Sequence, residues 1–152
     1  MARLESEDQA VPSALELTFG ASFEEDGVWR PYRLVLTSGG REEVLEDADV
    51  ETRPIGRCAL GLAPRDEIAL LAAGLREVLG GERKCLKFEP QEPNWSLDVA
   101  ASPGGWTVVC WIDAGNQIAD HYTWDALGIR FFTDSARILA FAEALDAEGA
   151  VK

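Results

Sequence analysis

The apolar residues change period along this chain, and that change limits the fold more than any other feature. They first recur at every second position, as in half-buried strands. From Asp66 they recur at helical spacing, and alternation returns at Lys84. A second helical stretch closes the pattern. Ile68, Leu71, Ala72, Leu75 and Leu79 line one helical face; Pro64 and Asp66 suit its start, and Gly80-Gly81 its end. In the last stretch Thr133 or Asp134 is the cap, and Ile138, Phe141, Ala142 and Leu145 form the inner stripe.

The alternating segments predict the strands. Leu15, Leu17 and Phe19 share one face of the first. Tyr32, Leu34 and Leu36 share a face of the next, which begins after Pro31 and ends at the Ser38-Gly39-Gly40 turn. A weaker strand runs through Val44, Ala48 and Val50, and a short one through Cys58, Leu60 and Leu62. Beyond the first helix come Leu86 and Phe88, then Trp95, Leu97 and Val99. The segment Trp106 to Asp113 is apolar on both faces, which predicts a central strand. Leu127, Ile129 and Phe131 complete the set. Residues 1–12 read as a flexible acidic tail and residues 13–152 as a single α+β domain. The expected architecture is a mainly antiparallel sheet of about seven to eight strands with two amphipathic helices on one face. Leu60 to Leu71 and Leu127 to Leu139 repeat a strand, an aspartate cap and an apolar pair at equal spacing, which is common strand-to-helix grammar.

Composition excludes several functions. The 152 residues carry a formal charge of −13, so a phosphate-neutralising surface, and with it nucleic-acid binding, is not expected. With 47% apolar residues the chain can bury an ordinary core, yet it has no long uncharged apolar run to enter a membrane. Cys58, Cys85 and Cys110 are odd in number and form no C-x-x-C pair, which predicts buried thiols in a reducing compartment. The start of the chain lacks a basic segment followed by an apolar one, so a cytoplasmic location is expected.

No nucleotide-binding glycine motif and no G-x-S-x-G elbow occurs, and one histidine cannot supply a two-histidine metal site. Metal, cofactor and catalytic residues are therefore not expected. The densest acid run, Glu42, Glu43, Glu46, Asp47, Asp49 and Glu51, is a solvated edge or a docking surface for a basic protein. Alternation places Trp95 and Trp106 in the core. Trp29 and Trp111 fit that placement least well and are candidate interface anchors, although burial is the expectation for each. His121, with Asp113 and Asp125, is the alternative pocket for a small molecule or a minor enzyme.

From Asp66 to Leu145 the layout is an apolar helix, Leu86 and Phe88, Glu92 and the Trp95-Leu97-Val99 strand. A valine-rich strand, Leu127 to Phe132, Thr133-Asp134 and the Leu139, Phe141, Leu145 helix follow. This layout resembles the small WapI-like immunity proteins of bacterial polymorphic-toxin systems. The resemblance implies an α+β fold without enzymatic activity that neutralises a toxin by direct binding. A homodimer that buries an exposed sheet face is a further possibility.

Overall fold

The computed structural model describes residues 1–24, 27–54, 66–90, 94–113 and 126–149. These form nine strands and two helices in an α+β arrangement with two antiparallel sheets. The expected single sheet is thus corrected. The first helix separates the strands into two runs, and each run pairs within itself.

The first sheet holds β1 (Ala2–Glu5), β2 (Ser13–Phe19), β3 (Phe23–Glu24), β4 (Gly27–Ser38) and β5 (Arg41–Pro54). Its order is β1-β2-β4-β3, with β5 also on β4. The expected loose tail begins with a strand. Ala2 and Leu4 alternate with Arg3 and Glu5, pair with Leu17 and Leu15, and are fully buried. Strand β4 starts before Pro31 rather than after it. Between the ends of β2 and β3 the Pro31 carbonyl accepts from the Gly20 amide at 2.8 Å, and a proline fits the gap between the two partners. Gly39 and Gly40 turn the chain into β5 with φ of +56° and +79°, a conformation that favours glycine.

The expected face of the weak strand is shifted. Leu34 pairs with Leu45 but Tyr32 with Ala48, so β5 carries an extra residue and a bulge. Leu45 is therefore the buried member, while Val44 is half-buried opposite Val35.

Helix α1 (Glu67–Leu79) is capped by Asp66, whose side chain accepts from the Ala69 amide at 3.0 Å. The second sheet follows as β6 (Cys85–Phe88), β7 (Trp95–Ser102), β8 (Gly105–Asp113) and β9 (Ala126–Thr133), paired in sequence order. Strand β8 is central, as expected. Helix α2 (Ser135–Gly149) is capped by Asp134, which accepts from the Arg137 amide at 2.8 Å. That hydrogen bond holds the Asp134 carboxyl below the usual carboxylate range.

Both inner sheet faces and both helices share one buried cluster. Helix α2 packs on α1 and β1, and α1 also meets β5, β6 and β7. Ile138, Phe141, Ala142 and Leu145 are all fully buried, as the helical stripe predicts. The sheets meet where Thr133 Oγ1 donates to the Glu5 carbonyl at 2.7 Å and the Glu7 amide donates to the Phe132 carbonyl at 3.0 Å. Buried Arg30 of β4 donates to the Gly20 carbonyl at 3.1 Å and to the Glu148 carbonyl, and its guanidinium lies 5.3 Å from the Phe19 ring centroid. It anchors the last turn of α2, where a cation suits the helix dipole.

Candidate functional site

In an antiparallel sheet, directly paired residues share a face. The register of the second sheet therefore sorts its side chains into rows. Leu86, Val99, Val108 and Phe131 form one inner row; Phe88, Leu97, Cys110 and Ile129 form the next. Burial pushes the Cys110 thiol well above the ordinary range, so it acts as a small hydrophobe.

The outer rows differ in chemistry. One contains Cys85, Ala100, Thr107 and Phe132. The next contains Lys87, Asp98, Val109 and Arg130, and the third Ser96, Trp111 and Gly128. Trp111 is 44% exposed and Phe132 56% exposed, so the expected burial of Trp111 is corrected: alternation sends it outward. Its ring lies over Gly128. A Cβ at that glycine would come within 2.4 Å of Trp111 Cε3 and 2.5 Å of the Cys110 carbonyl oxygen. Only glycine leaves room for this placement. Two aromatic anchors thus flank a row in which Lys87 and Arg130 outnumber Asp98, leaving one net positive charge. This combination of Trp, Phe and Arg is what energetic centres of protein interfaces contain.

The other tryptophans divide as their positions require. Trp95 is buried and packs tilted against Phe88 and Tyr32, with ring centroids 5.5 Å and 6.3 Å away. Trp106 is half-buried and donates to Ser135 Oγ at 2.8 Å. Trp29 is half-buried on β4, paired with Phe23 and Glu51.

The acid run lies on β5, which among the described residues pairs only with β4. Glu42, Glu43 and Glu46 are exposed, and Arg33 reaches Glu46 at 2.7 Å and Glu42 at 3.9 Å. Asp47, Asp49 and Glu51 follow on the same strand. Of the alternative pocket, Asp113 ends β8, half-buried, and its amide donates to the Asn94 carbonyl at 3.0 Å. His121 and Asp125 lie outside the described residues, as does Cys58. Cys85 is exposed, a correction to the expectation of buried thiols: its edge strand leaves its outer side open. Among the described residues no three His, Cys, Asp or Glu side chains gather into a metal-binding group, and no helix is long and apolar enough to cross a membrane.

The chain matches no protein-family model, no curated protein and no solved structure.

Proposed function

We propose that this chain is a non-catalytic binder of a basic protein partner, seated on the outer face of β8 and β9. The observation that carries the reading is the pair Trp111 and Phe132, two large apolar side chains held in the open on a rigid sheet. The formal charge of −13 and the exposed carboxylates of β5 attract a basic partner from a distance and speed its encounter, while the seat itself holds Lys87 and Arg130 against Asp98. The layout from Asp66 to Leu145 resembles the WapI-like immunity proteins, which makes a toxin the partner class of choice.

The test compares three baits in the same host extract: the wild type, the Trp111→Ala/Phe132→Ala variant, and a Leu139→Ala control on α2. A basic protein retained by wild type and control, released by salt and lost from the double variant is the expected result. Equal capture by all three baits would remove the sheet face from the reading. A circular dichroism spectrum of the double variant that matches wild type is the control for an intact fold.

A further inference from the structure

A second surface stands apart from the aromatic face. Strand β6 closes one side of the second sheet, and among the described residues it pairs only with β7. Its other side, which no described strand covers, is the template on which another strand adds. Beneath that edge, a groove of about 210 Å³ runs between β6 and α1, lined half by apolar residues, Leu70 and Leu86 among them, and half by charged ones, Glu67, Glu77, Arg83 and Glu89 among them. Leu70 is 52% exposed. At Gly74 the helix comes so close that a Cβ would sit 2.7 Å from Leu86 Cδ1. The four-stranded sheet thus stops short of covering the flank of α1, and one more strand would cover it.

We propose that the occupant is β6 of a second copy, paired antiparallel about a two-fold axis through Leu86. Local charge and strand register select it. The local charge is close to balanced in an otherwise acidic chain, which permits self-association: Arg83, Lys84 and Lys87 lie here with Glu67, Glu77, Glu82 and Glu89, and two of the chain's three lysines are among them. The pleat restricts the centre of symmetry to a residue, because paired residues share a face. Centring on Cys85 sets Lys87 against Arg83, and centring on Lys87 sets it against itself. Centring on Phe88 sets Leu86 against Pro90, which lacks an N–H. Centring on Leu86 instead pairs Cys85 with Lys87 within β6 and, beyond its ends, brings Lys84 near Phe88 and Arg83 near Glu89, each twice; Arg83 is then shared between that Glu89 and its own Glu77, which it binds at 2.6 Å. The same pairing covers Leu70 of both copies, and the two second sheets become one.

Sedimentation velocity over a concentration series should show a dimer. Leu70→Glu should sediment as a monomer with an unchanged circular dichroism spectrum. Glu89→Arg should weaken the dimer about tenfold, since two symmetric ion pairs are lost, and Arg83→Glu/Glu89→Arg should restore it. Directly paired Cα atoms lie about 4.5–5.5 Å apart, within disulfide range. Lys87→Cys, oxidised with glutathione disulfide, should therefore give a cross-linked dimer through Cys85, and Cys85→Ser should abolish the link. A wild type that is monomeric at every concentration overturns the proposal. So does a dimer that survives Leu70→Glu and resists the cross-link, or assembly beyond the dimer, which would indicate head-to-tail pairing of β6 with the acidic β5 edge.

Discussion

On the outer face of the first sheet, charges are matched across strands: Arg3 with its direct partner Glu16, and Arg33 of β4 with Glu46 of β5 at 2.7 Å. The outer face of the second sheet matches one such pair, Lys87 with Asp98, and otherwise holds Trp111 over Gly128, Val109, Arg130 and Phe132. Both faces belong to antiparallel sheets that share one core. The difference therefore lies in what alternation sends outward, not in the backbone. Exposed ion pairs contribute little to stability but keep a face soluble. Exposed aromatics lose that solubility and gain contact area for a partner. Apart from Phe23 beside Trp29 at its β3 end, the first sheet shows water mainly ion pairs, while the second shows it an aromatic patch around Trp111 and Phe132.

The largest test concerns what the two faces have in common. Phe141 of α2 is fully buried in the core beneath both sheets. Phe141→Ala should cost about 3–5 kcal/mol in urea denaturation, with one transition for both sheets. A loss below ~1 kcal/mol, or two separate transitions, would break the picture of a common core.

Gly128 sharpens the contrast next. Gly128→Ala forces a Cβ against the Trp111 ring and the Cys110 carbonyl, of which only the ring can move away. A destabilisation of about 1–3 kcal/mol is expected. In a Trp111→Ala background the same change should cost less, because one of the two obstacles is gone. Equal costs in both backgrounds would show that the ring does not rest on the glycine.

Parts of this arrangement were legible in the residues. The α2 stripe, the α1 cap at Asp66 and the central place of β8 followed from spacing and side-chain chemistry. The division into two sheets did not, because strand order is set by tertiary pairing and leaves no local period. Ala2 and Leu4 did carry a period of two, but the acids around them suggested a tail. Leu45 was missed because one bulge residue shifts the phase of β5, and a bulge has no fixed sequence mark. Trp111 was legible in position and misjudged in burial. Alternation with Cys110 and Ile112 pointed it outward, and a glycine within the neighbouring strand was the sign of close approach. The equal spacing of the two helix starts also conceals a difference. Asp66 is followed at its fourth and fifth residues by exposed Leu70 and buried Leu71. Asp134 is followed by buried Ile138 and exposed Leu139. The helices share a cap and present different faces.

The α2 cap gives a smaller effect on the side of the first sheet, where α2 packs on β1. Asp134→Ala should cost about 1 kcal/mol. The amide of Arg137 holds the Asp134 carboxyl below its ordinary range. A depressed folded-state value makes this contribution complete above the unfolded pKa of about 3.9. It is lost as pH falls through the lower folded value. Denaturation curves of wild type and Asp134→Ala should therefore differ at neutral pH and converge under acid. A gap that stays constant to the lowest pH at which the protein folds would assign the effect to helix propensity rather than to the charged cap.

The smallest effect tests the paired face itself. Arg33 is 45% exposed, Glu46 60% and Glu42 57%, so water and salt screen both contacts. Arg33→Gln should change stability by less than about 0.5 kcal/mol. What remains has a definite salt dependence. The guanidinium attracts Glu42 and Glu46 and also offsets repulsion among the acids of β5. Its removal should therefore destabilise most at low ionic strength, where the Debye length is about 30 Å at 0.01 M, and hardly at all at 1 M, where it is about 3 Å. The double variant Arg33→Gln/Glu46→Gln should regain part of the loss, because it removes a repelling acid with the cation. Trp111→Ala, by contrast, should show no such salt dependence in its stability, since its contacts with the sheet are apolar. If the two variants respond to salt alike, the outer faces of the two sheets do not differ in the way their side chains indicate.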